Sequence, residues 1–156
     1  MNEAQTYQTE FHVEDAFVAY LSGVLPSGVY VGPSLSTVDY VEPGVYVAWH
    51  EVNNVSDDAG FTGHVAGMVK LIIRVHANIA SNDEAKTSRQ QLGELYSRVV
   101  YHLAKTDLKD LLNANISAHA SIDQAILEPR MRGVDPEANA FEALINVGVI
   151  ARAVDA

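Results

Sequence analysis

Residues 64–79 read HVAGMVKLIIRVHANI. Val69, Leu71, Ile73, Val75 and Ile79 fall on one side of an extended chain, and Met68, Lys70, Ile72, Arg74, His76 and Asn78 fall on the other. Successive side chains of a strand point to opposite faces, so this alternation marks a strand with one buried face. The second face carries Lys70, Arg74 and His76 and meets water or a neighbour. A strand about twice the ordinary length predicts a hairpin that projects beyond the body of the protein.

Working outward, GVYVAWHEV (44–52) is the preceding strand, with Val45, Val47, Trp49 and Glu51 assigned to one face and Tyr46, Ala48, His50 and Val52 to the other. The polar stretch NNVSDDAGFTG (53–63) joins the two. It reads as a solvated hairpin loop that orders on assembly, with Phe61 as its apolar anchor beside Asp57 and Asp58. GVYVG (28–32) is a short strand, and PSLSTVDYVEP (33–43) begins and ends in proline, which suits a loop or an edge segment. Before it, Val13, Phe17, Tyr20, Leu21 and Val24 form one apolar stripe along a helix over 11–25. Glu14 and Asp15 sit early, where the helix dipole favours negative charge, and Pro26 stops the helix.

After the long strand, Ser81 and Glu84 fit a capping box that opens a helix over about 82–104. This helix buries Leu92, Leu95, Tyr96, Val99, Val100 and Leu103. TDLKDLLNA (106–114) predicts a separately capped short helix, and strands are predicted over 116–132 and 140–152. Strands in succession with helices before and between them give an α+β fold. The expectation is one mostly antiparallel sheet with two helices packed on one face and an extended β-hairpin. It forms a single domain over 1–156, with residues 1–10 as an extended or mobile N-terminal arm. A chain of this length buries about 70% of its unfolded surface and needs no metal or disulfide staple.

Composition excludes several roles. Ten Lys and Arg against twenty Asp and Glu give 10 − 20 = −10. That balance opposes general binding to nucleic acid, where neutralising phosphates dominates affinity, and docking on an anionic membrane. No cysteine is present, so disulfides, thiolate catalysis and Cys-based metal sites are excluded. The polar start MNEAQTYQTEF shows no secretory h-region, and no apolar run reaches the ~18 residues of a membrane span. A soluble protein made in the cytoplasm is expected.

Motifs for chemistry are absent too. There is no GxGxxG, GxxxxGK[ST], HExxH or GxSxG. The six histidines show no ligand spacing; strand pairing alone could bring His50 near His64 or His76, and ordinary half-exposed strand histidines are expected. Placing Gly60 at the sixth position of a calcium loop puts Val55 and Ala59 on ligand positions, so that reading fails. Asp123, Glu128, Asp135, Glu137 and Glu142 include no pair selected by spacing for acid–base work. No catalytic residue, cofactor or metal is expected.

The stretch ILEPRMRGVDPEANAFEAL (126–144) sets Arg130 and Arg132 two apart in an acidic chain. One reading is a solubilising strand-end pair. The other is a subunit contact, because Arg forks onto carboxylates bidentately and is enriched at interfaces. A subunit presenting Arg130 and Arg132 on one side and Asp135 and Glu137 on another can pair head to tail and close into a ring. Lys70 and Arg74, on the open face of the long strand, complete the candidate interface.

The element order, the LPSGVYVG passage (25–32), the helix SRQQLGELYSRVVYHLAKTDLKDLL (88–112) and the close MRGVDPEANAFEALINVGVIARA (131–153) resemble the tail terminator proteins of tailed bacteriophages. That resemblance implies a virion protein of the tail and neck. It forms a ring, usually of six subunits, at the head-proximal end of the tail tube, ends tube polymerisation and offers a platform to the neck or stopper protein. DNA passes through the lumen without specific binding, and no catalytic residue is implied. The rivals are another head–tail adaptor or tail tube subunit and, from a different class, a small cellular enzyme or ligand-binding domain with an apolar pocket.

Overall fold

The computed structural model describes residues 9–33, 43–54, 66–76, 85–128 and 142–154. Among these residues there are three helices, α1 (Thr9–Val24), α2 (Ala85–Leu103) and α3 (Leu108–Asn113), and five strands. The strands are β1 (Tyr30–Pro33), β2 (Gly44–Asn54), β3 (Ala66–His76), β4 (Ala120–Glu128) and β5 (Glu142–Ala153). They form one sheet in the order β1-β2-β3-β5-β4, all antiparallel except the short edge pair β1–β2, which is parallel. The α+β class, the mostly antiparallel sheet and the helical layer expected from the sequence are all present, with α3 added to that layer.

The buried layer lies where the alternation placed it. Val69, Leu71, Ile73 and Val75 of β3 are 1% exposed or less, as are Val147 and Val149 of the neighbouring β5. On β2, Val45 and Val47 continue the same face. Onto it α1 lays Val13, Phe17, Tyr20 and Leu21, and α2 lays Leu92, Leu95, Val99 and Leu103. The short α3 adds Leu108 and Leu112. Each of these side chains contributes roughly 1.5–3 kcal/mol by leaving water, the dominant favourable term of the fold.

Several boundaries and faces differ from expectation. Val24, read as the last residue of the α1 stripe, is exposed; Leu25 is buried in its place, its N–H reaching Leu21 O at 2.9 Å. The stripe keeps its 3–4 residue spacing, and the final turn brings the later of two adjacent apolar residues inward. Asp107 precedes α3 but makes no side-chain cap bond, so the short helix is not separately capped. Instead its first turn is tied to the end of α2, Leu108 N–H donating to Lys105 O at 3.1 Å. The strand expected from residue 116 begins at Ala120, because the chain first turns at 118–119, with Ala120 N–H donating to Ser117 O at 3.2 Å.

A β-bulge between Trp49 and Glu51 corrects the assigned faces of β2. The extra residue, His50, reverses the alternation beyond it. Val52 therefore pairs with buried-face Val69, and Glu51 pairs with Lys70 on the opposite face. A period-two pattern cannot register an inserted residue, so alternation alone assigns these two residues to the wrong sides. The capping box at Ser81 and Glu84, the loop over 55–65, the segment 34–42 and the strand ends at 64–65, 77–79, 129–132 and 140–141 lie outside the described residues.

Candidate assembly surface

The helices cover one face of the sheet, and the opposite face carries most of the polar chemistry. Across it run Tyr46 and Ala48 of β2, Met68, Lys70, Ile72 and Arg74 of β3, Leu144, Ile150 and Arg152 of β5, and Gln124, Ile126 and Glu128 of β4. Lys70 and Arg74, both proposed from the sequence as interface residues, are here, with side chains 39% and 38% exposed. They are not loose charges. Lys70 Nζ lies 3.3 Å from Glu51, and Arg74 Nη1 lies 3.6 Å from Glu142. Arg152, at the far end of the face, binds Asp123 through Nε at 2.8 Å and also through Nη2. All three cations described on this face thus have a carboxylate of the same chain, so the face is close to neutral in a chain of net charge −10. Glu51 is held below the usual carboxylate range by a hydrogen bond from Asn53 and then by Lys70.

One end of this face is closed by aromatic packing. Tyr30 and Tyr46 lie 5.5 Å apart, and Tyr46 meets His76 edge-on at 5.5 Å. His76 is 1% exposed, with Nε2 3.1 Å from Glu142. It is therefore not the half-exposed strand histidine that alternation predicted; the ring packing and Glu142 account for its burial. His76 pairs across from Gly44, whereas His50 sits at the bulge farther along β2, so the ladder keeps these two histidines apart. Gly32 allows the aromatic arrangement, since a Cβ there would stand 2.5 Å from the Tyr30 hydroxyl.

The sheet edges hold features that sequence reading missed. Strand β1 pairs with β2 only as far as Val47, and β2 continues to Asn54. Just beyond β1, the Trp49 N–H donates to Glu14 of α1 at 3.2 Å, and the Trp49 ring meets Phe11 edge-on at 5.5 Å. Burial pushes the Glu14 carboxyl above its usual value, the bond from Trp49 opposes that shift, and neighbouring Asp15 adds to it. At the other edge, the Asn113 carboxamide engages both main-chain groups of Ile122. Its Nδ2 donates to Ile122 O, and Ile122 N–H donates to Oδ1, both at 2.8 Å. A bulge follows at Asp123. In the sequence Glu14 signals only a favourable N-terminal charge, and Asn113 carries no signal, because its partner lies across a turn whose path the sequence does not specify.

Of the other sequence candidates, Arg130, Arg132, Asp135, Glu137, Phe61, Asp57 and Asp58 lie outside the described residues. Among the described residues, no three His, Asp or Glu side chains gather as metal ligands would. An open groove beside α2 is lined by Pro26, Val29, Pro43, Gln91, Glu94, Leu95 and Arg98. It has an apolar floor and a charged rim but no convergent acid–base pair. Among the described residues, no helix is long and apolar enough to cross a membrane.

No family profile matches the sequence, and no curated protein matches it. Among solved structures, the sheath/tube terminator of an extracellular contractile injection system, PVC, in its extended state, is similar at 16% identity with a TM-score of 0.55. The match covers 96% of this chain and 58% of that one, so the chain spans little more than half the length of that terminator. A chain from the virion of a native gene transfer agent particle matches at 14% identity over 95% of this chain and 97% of its own length. Its TM-score of 0.38 is too low to carry weight. The fold of the chain is thus terminator-like, in agreement with the resemblance drawn from its sequence.

Proposed function

We propose that this chain is a structural, non-enzymatic component of a phage or phage-like tail. It forms a ring, six-membered as the resemblance implies, on the head-proximal end of the tail tube. There it ends tube polymerisation and presents a platform to the neck protein. The observation that carries the reading is the similarity of fold to a sheath/tube terminator along nearly the whole chain. The charge of −10 fits a bore through which DNA slides without adhering, since a like-charged wall repels phosphate. The charge-paired open face fits contact between copies, because it adds little like-charge repulsion where an acidic protein meets itself.

Within the ring, Arg130 and Arg132 of one subunit bind Asp135 and Glu137 of the next, and Phe61, beside Asp57 and Asp58, orders on assembly. The test is tube growth in vitro. Adding the chain to polymerising tail tube protein shortens and caps the tubes. The R130E/R132E variant keeps its circular dichroism but no longer arrests growth. Tubes of unchanged length in the presence of the unaltered chain would overturn the proposal.

A further inference from the structure

We infer that the two open strand segments, the end of β2 around Val52 and the β4 run Gln124–Leu127, pair with each other between sister copies. They continue the five-stranded sheet head to tail from one subunit to the next. This deepens the ring reading above and rests on it.

The segments are defined by how the rest of each edge is closed. On β2, the Trp49 N–H is taken by Glu14, and the next residue, His50, is the bulge. On β4, both main-chain groups of Ile122 are taken by Asn113, and the next residue, Asp123, is the bulge. A helix side chain thus blocks each edge immediately before a bulge. Among the described residues, no strand pairs with the open side of either strand beyond that point. Main-chain direction alternates along a strand, and each bulge shifts the count by one. Val52 and Ala125 are therefore the next residues whose N–H and C=O face the open side.

The two segments also lie at the same height on the sheet. Glu51 pairs with Lys70, Lys70 with Gly148, and Gly148 with Ile126. In the next row Val52, Val69, Val149 and Ala125 follow, and then Asn53, Met68, Ile150 and Gln124. Three successive antiparallel pairings separate β2 from β4, so the two strands run in opposite directions. Laid beside β2 of the next copy with no shift, β4 forms an antiparallel ladder in which each sheet face continues as the same face. The side chains suit such a seam. Val52 on the helix side is 40% exposed and Ile126 on the open side is 44% exposed, and both are covered when the strands meet. Unlike edges make a heterologous contact, the kind that closes into rings.

The chain has no cysteine, so engineered ones report cleanly. Within one subunit, positions 52 and 125 are three strand spacings apart, roughly 14 Å, beyond the reach of a disulfide. Mixing V52C with a size-tagged A125C variant under mild oxidation is expected to give the mixed dimer, with neither variant forming a dimer alone. A doubly substituted chain is expected to give a ladder ending at the ring size. A125P removes an open-side N–H at a place where an edge strand tolerates proline. It is expected to keep its circular dichroism and reduce ring yield at least tenfold; I126E, which sets a carboxylate in the row of Glu51 of the next copy, is expected to do the same and stands in if A125P does not fold. Rings that form in both variants, or rings seen without the mixed crosslink, overturn the edge pairing while leaving the ring reading intact. Absence of rings from the unaltered chain overturns both.

Discussion

Glu14 shows how one residue links helix, sheet and pH. Its carboxylate accepts the Trp49 N–H that β1 is too short to reach, and burial raises its affinity for a proton. A carboxyl that binds its proton more tightly in the folded state contributes stability that is fully present below its ordinary value of 4.5. That contribution is lost as pH rises through the raised folded value. Glu14→Gln keeps an oxygen for Trp49 but removes the titration. Urea denaturation at pH 4 and at pH 7 is therefore expected to show a smaller loss of stability between the two pH values in the variant than in the unaltered chain; an equal loss would mean that Glu14 contributes nothing to the pH dependence. Neither this contact nor the pairing of Lys70 with Glu51 was legible in the sequence. The His50 bulge reversed the side on which Glu51 sits, and no local pattern marks a single inserted residue.

At the scale of elements, the strongly periodic stretches were the legible ones. The buried face of β3 and the α2 stripe follow from spacing alone, because a sheet face or helix stripe with that many apolar residues has nowhere to go but inward. Strand order was not legible. The placement of β5 between β3 and β4 is a tertiary outcome, and so is the parallel edge strand β1. The closure of the β4 edge likewise depends on α3 ending beside Ile122, where Asn113 replaces the hydrogen bonds a neighbouring strand would make. Asn113→Ala leaves both main-chain groups of Ile122 without that partner and is expected to cost about 1–3 kcal/mol in urea denaturation. Asn113→Asp retains the acceptor for Ile122 N–H but not the donor to Ile122 O, so an intermediate loss is expected. If both variants matched the unaltered chain in stability, Asn113 would not be what closes this edge.

At the scale of the molecule, the sheet divides into a face sealed by three helices and a face whose described cations are already neutralised by the chain's own carboxylates. In the proposed ring, copies joined edge to edge set these faces side by side, and a charge-paired face adds little repulsion across the seam. The most direct measurement is negative-stain electron microscopy of the purified chain, alone and mixed with preformed tail tubes. The account predicts discrete closed rings, and tubes bearing one ring at one end. Single particles that ignore the tubes, or long tubes built from this chain alone, would contradict it.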